Sequence, residues 1–245
     1  MAISVQGLRR SYGAFTAVHD LSFEVSGGEI VGLIGPNGAG KTTTLRTLAG
    51  ILKPTAGRVT VDGHDMTQAP IEAKRRLAFM PDEPHLFEYL TVAEHLRLMA
   101  RLYSVEDFDN RARALTEELE LTGKERSLPG ELSRGMRQKV IIACGLVRSA
   151  TTLLFDEPLT GLDPIGIRRM RNTIVTRARD GAAILLSSHL LHLVEEVCSR
   201  VIIMDRGRKV ADGTFAELAA HAELASAGSS LEQIFLRVTG HDGTS

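Results

Sequence analysis

The 245-residue sequence predicts an α/β fold with a mainly parallel sheet and a helical insertion. Three observations carry this. Short apolar, β-branched runs end at Gly or Asp-Gly turns; helical patterns separate the later runs; and a central stretch, about residues 86–147, carries apolar residues at three-to-four spacing. Taken in order, residues 3–7, 21–25 and 58–61 alternate or are β-branched and read as strands. Residues 30–34, IVGLI, are apolar throughout, the pattern of a strand buried on both faces. A helix is expected over residues 41–50, ended by Gly50 with Pro54 just beyond. Short apolar runs at 76–80, 152–155, 183–186 and 200–204 complete the sheet, while 95–103 and 111–121 read as helices of the insertion. The main domain is expected over residues 1–220. A short helical tail follows over 221–245, in which 222–230 is rich in small residues and loose, and 231–238 forms a last helix.

Composition narrows the function. Apolar residues at 43% and charged residues at 24% exclude a disordered or collagen-like chain. Lys and Arg number 29 against 30 Asp and Glu, there is no Trp, and aromatics are 4%, so no nucleic-acid partner is expected. Cys144 and Cys198 lack metal-type spacing and sit in apolar helical contexts, as small buried side chains of a reducing compartment do. The longest apolar run, 140–147, is far too short to span a membrane, and the first residues carry no apolar signal region. The expectation is a cytoplasmic protein that reaches a membrane only through a partner.

The strongest motif is GPNGAGKTT, residues 35–43, which fits G-x-x-x-x-G-K-[ST] between an expected strand and an expected helix. Gly35, Gly38 and Gly40 allow the tight turn that brings backbone N–H groups to phosphate oxygens, with Pro36, Asn37 and Ala39 completing the loop. The following helix, entered through Lys41, Thr42 and Thr43, points its positive end at the same place. Lys41 is expected to neutralise β/γ-phosphate charge, and the Thr42 hydroxyl to ligate Mg2+.

A second motif supplies carboxylates. TTLLFDEP, residues 151–158, is an apolar strand ending in two acids, and ligands of parallel sheets gather at such strand ends. Asp156 is the expected Mg2+ ligand and Glu157 the group that orients or deprotonates the attacking water. SSH, residues 187–189, follows another apolar strand and offers His189 as a donor to the γ-phosphate. His192 lies three residues on, with no third metal ligand in view.

With these residues in hand, the chain resembles the ATP-binding cassette (ABC) family over about residues 3–218, and looks most like free-standing ATPase subunits of bacterial two-component exporters. LSRGMRQKV, residues 132–140, is similar to the family signature LSGGQ. From the residues alone, Ser133 is a good N-cap, and its helix makes a second anion-binding N-terminus. The resemblance implies more. The fold becomes a P-loop NTPase core with an N-terminal antiparallel β subdomain and a helical insertion. Ser133 and Gly135 cap the γ-phosphate of ATP held by a second ATPase subunit, identical or not. Tyr12 stacks on adenine, Asp163 of GLDP (residues 161–164) touches the dimer interface, and an integral membrane permease senses the cycle from the cell membrane's inner face.

Two positions depart from the family pattern. Asp82, in FMPDEP, stands where Gln is usual and is expected to ligate Mg2+; Arg134 stands where the signature often has Gly. Arg134 is expected to point away from the nucleotide or to form a salt bridge across the interface. A soluble ABC ATPase without transport, such as an iron–sulfur assembly factor, would carry the same motifs. A kinase would share only the phosphate loop.

Overall fold

The computed structural model describes residues 1–222 and 230–240. The stretch expected to be loose lies, but for its two end residues, outside them. Strands β1 (Ile3–Tyr12) and β2 (Phe15–Val25) form a hairpin, and β4 (Ala56–Val61) pairs with the other edge of β1, followed by the short β5 (His64–Asp65). All pairs of this four-stranded sheet are antiparallel, in the order β2-β1-β4-β5. β2 begins at Phe15, well before the expected residue 21, because Gly13 at φ +59° reverses the chain and β1 then pairs as far as Phe15.

The second sheet combines β3 (Ile30–Ile34), β6 (Leu77–Met80), β7 (Thr152–Asp156), β8 (Ala183–Ser187), β9 (Arg200–Asp205) and β10 (Arg208–Gly213) in the order β10-β9-β3-β8-β7-β6. Only the β9–β10 hairpin is antiparallel; the other four pairings are parallel. Every residue of β3, β7 and β8 is buried, which explains their unbroken apolar sequences. Alternate residues feed two cores. Leu153, Phe155, Ile184, Leu186, Val201 and Ile203 join one, and Leu154, Leu185, Ile202 and Met204 join the other with β1, β2 and β4.

Helix α1 (Lys41–Leu48) follows β3 and stops two residues short of Gly50, which takes φ +64° just beyond the end. Helix α2 (Pro70–Arg76) runs directly into β6, so Arg76, expected in a strand, ends a helix instead. The insertion holds α3 (Val92–Leu102), α4 (Phe108–Glu118) and α5 (Arg134–Leu146). α3 starts earlier than its apolar period suggests because Thr91 and Glu94 form a reciprocal cap at its N-terminus. Helix α6 (Pro164–Arg179) is capped by Asp163, and α7 (Leu191–Val197) packs on β3. Helices α8 (Phe215–His221) and α9 (Leu231–Thr239) close the described chain, α9 resting on α7. No helix among the described residues is long and apolar enough to cross a membrane.

Both thiols are free and buried. Burial pushes Cys144 up to about 12 and raises Cys198 as well, because a thiolate has no water there. Neither should react with a thiol reagent at neutral pH in the native chain, and both should react in denaturant. Mass spectrometry checks this; labelling of the native chain at either position would contradict the buried geometry.

Candidate active site

Parallel register brings the motifs to one edge. Leu33 pairs with Ser187, Ser187 with Asp156, and Met80 with Phe155, so the C-terminal ends of β3, β8, β7 and β6 lie side by side. The phosphate loop, the 156–157 acids, His189 and Asp82 all leave the sheet at this edge.

The phosphate loop depends on missing side chains. A Cβ on Gly35 would sit 2.3 Å from the Met204 carbonyl oxygen, and one on Gly40 2.6 Å from that of Ala17. Gly38 and Gly40 also hold φ of +81° and +99°. Lys41 is 8% exposed, and its Nζ donates to the Gly35 carbonyl at 2.7 Å and the Pro36 carbonyl at 3.1 Å. Burial lowers the Lys41 pKa, and the negative charges of Glu157 and Asp156 partly oppose that shift. The ammonium is thus held over the loop, facing both acids.

Asp156 is buried, and its Oδ1 accepts from Ser187 Oγ at 2.7 Å and from Thr42 Oγ1 at 3.2 Å. Ser187 Oγ in turn accepts from the Glu157 N–H at 3.1 Å. Glu157 sits at φ +50°, a left-handed conformation costly for a residue with a side chain. Its N–H bonds to Ser187 hold that turn, which re-aims the side chain after the strand ends. Glu157 Oε2 then meets His189 Nδ1 at 2.8 Å and accepts from the His189 N–H at 3.3 Å. The structure therefore brings Lys41, Thr42, Asp156, Glu157 and His189 into one connected cluster.

Other expected residues lie around it. Tyr12 is exposed at the end of β1, with the Arg10 guanidinium 4.4 Å from its ring centroid. Ser133 accepts from the Met136 N–H and caps α5. Gly135 packs under the Gly161 carbonyl oxygen, where a Cβ would come within 2.8 Å. Asp163 accepts from the Gly166 N–H at 2.7 Å. Arg134 reaches back to its own chain, with Nη2 3.6 Å from Asp82 Oδ1. The sequence motifs alone assign no role to Ser187, Gln138 or Arg10. A hydroxyl at the strand end beside the acids is the one signal that points to Ser187.

The fold and these residues define a P-loop nucleoside triphosphatase. The ABC transporter family pattern matches residues 18–160 of this chain. EcsA, an ABC-type transporter ATP-binding protein of Bacillus subtilis (strain 168), is 33% identical over 242 residues, 98% of this chain and 97% of that protein. The SkfA peptide export ATP-binding protein SkfE of the same organism is 37% identical over 212 residues, 86% of this chain and 88% of that protein. A solved structure described as the ATP-binding subunit of an ABC transporter superposes with a TM-score of 0.93 at 34% identity, covering 98% of this chain and all of that one. The chain belongs to the ABC transporter family, as its ATP-binding, ATP-hydrolysing subunit.

Proposed function

We propose that this chain powers an exporter. Two cassettes, identical or paired with a relative, close head to tail over two ATP, and a separate membrane permease follows the movement from the membrane's cytoplasmic side. The observation that carries this reading is the cluster of Lys41, Asp156, Glu157 and His189 at one sheet edge, in a chain whose Ser133-capped helix N-terminus is exposed. One helix end serves the chain's own ATP and the other serves its partner's. SkfE's part in peptide export supports the direction of transport.

Within the site, the 35–43 loop wraps the phosphates and Lys41 neutralises them. Glu157 takes the proton of the attacking water, and His189 holds the Glu157 carboxylate in place through Nδ1. Tyr12, backed by Arg10, offers its free face to adenine. The residues present suit Mg2+: Thr42 Oγ1 and Asp156 Oδ1 are 3.2 Å apart, and Asp82 Oδ1 is buried without a hydrogen-bond partner among the described residues. Hydroxyl and carboxylate oxygens are hard donors, and the bound ion would supply charge neutralisation at the β- and γ-phosphates.

The segment between β6 and α3 is the proposed permease contact. Phe87 and Tyr89 are 64% and 89% exposed beside Leu86, Leu90 and Leu98. His95, buried on α3, accepts the Phe87 N–H at 2.9 Å and ties the segment to that helix. Replacing Phe87 and Tyr89 together by Ser should abolish co-purification with the permease while ATP binding persists; unchanged co-purification would move the contact elsewhere.

Dimer closure has its own test. In a Glu157→Gln background, ATP should produce a dimer detectable by light scattering. Adding Ser133→Arg should abolish that dimer while each chain still binds ATP. A dimer that survives Ser133→Arg would overturn the head-to-tail arrangement.

A further inference from the structure

The two positions that depart from the family pattern are joined to each other. Arg134 and Gln138 lie four residues apart on α5 and so share one face of the helix. That face grips two consecutive residues of the loop after β6. Gln138 Nε2 donates to the Pro81 carbonyl at 2.9 Å, and Arg134 Nη2 lies 3.6 Å from Asp82 Oδ1. The aliphatic part of Arg134 also passes over Gly161, where an added Cβ would lie 3.7 Å from Arg134 Cδ. One side chain thus touches the signature helix, the strand-end loop and the 161–164 turn.

The state of Asp82 Oδ1 gives this contact its meaning. The oxygen is buried and accepts no hydrogen bond among the described residues. At 3.6 Å, Arg134 is an ion pair and not a hydrogen bond. A carboxylate oxygen withdrawn from water, with lone pairs unused, is a poor resting arrangement and a ready ligand position. The pair itself is weak: Arg134 and Asp82 side chains are 57% and 44% exposed, so it biases an equilibrium by up to roughly fivefold. A hold of that size positions a group and still releases it.

Resting on the functional reading above, we propose that Arg134 is a positioning residue for Asp82. It holds the carboxylate against the signature helix in the nucleotide-free chain, and the Mg2+ of incoming Mg-ATP competes with Arg134 for the same oxygen. Nucleotide arrival is thereby linked to release of the α5 N-terminus from the strand-end loop. The two charged departures act as a matched pair, and neither should work alone as it does with the other.

The test is a double-mutant cycle read as a ratio, the ATP affinity with Mg2+ over that in EDTA, measured by calorimetry on the full chain. Arg134→Ala should raise this ratio by a few-fold, up to roughly fivefold, since the competitor is gone. Arg134→Lys should restore the wild-type ratio in part. In an Asp82→Asn background, Arg134→Ala should leave the ratio where Asp82→Asn alone puts it. An unchanged ratio in Arg134→Ala, or an equal rise in the Asp82→Asn background, would overturn the pairing while leaving the ATPase reading intact. Failure of the wild-type chain to bind ATP in either condition would sink both.

Discussion

Glu157→Gln is expected to lower ATP turnover by about 10²–10⁴-fold, the usual effect of removing a general base, while ATP remains bound. The substitution is nearly isosteric. The Glu157 N–H keeps its bonds to the Ser187 carbonyl and hydroxyl, so the turn at φ +50° persists. The Gln oxygen can still accept the His189 N–H now donated to Oε2 at 3.3 Å. What disappears is the carboxylate proposed to take the proton of the attacking water. Single-turnover hydrolysis beside a nucleotide-binding titration separates the two effects. Normal turnover in the variant would mean that another group is the base, and His189 would be the next to replace.

Lys41→Ala is expected to act earlier, on binding itself. Its ammonium bridges the Gly35 and Pro36 carbonyls from a buried position and faces Asp156 and Glu157. Without it, the two acids confront the triphosphate with no lysine ammonium to offset them. Hydrogen bonds to charged groups contribute about 1.5–3 kcal/mol each, so ATP affinity should fall by about 10²-fold. Calorimetric titration checks this. An affinity within about threefold of wild type would show that backbone N–H groups alone hold the phosphates.

Much of the candidate site was legible because the residues that would bind phosphate lie close together in sequence. The 35–43 loop needs three glycines, a lysine and a threonine at fixed spacing, and the steric gaps at Gly35 and Gly40 show why two of those glycines admit no side chain. The acids at 156 and 157 follow an apolar strand whose burial on both faces could be read from its residues. Other features had no local signal. β10 buries only its last residue, Gly213, so no apolar run marks it. The start of β2 is fixed by its partner in β1, and the start of α3 by a capping box outside the apolar period. Gln138 looks like any polar helix residue until α5 is laid against the loop after β6.

Arg134 shows the boundary most clearly. The sequence identified it as a departure and left it two directions, away from the nucleotide or across an interface; the fold turned it onto Asp82 of its own chain. By itself the sequence determined the fold class, the phosphate loop and the acids, because strand burial and phosphate binding are set by residue type over a few neighbours. Only the tertiary structure decided which of those groups meet, joining Asp156 to Thr42 and Ser187, Glu157 to His189 and Arg134 to Asp82. The physical reason is that these contacts join residues 31 to 114 positions apart, and the register of parallel strands, with α5 packed against the end of β6, sets their distance where no local preference can.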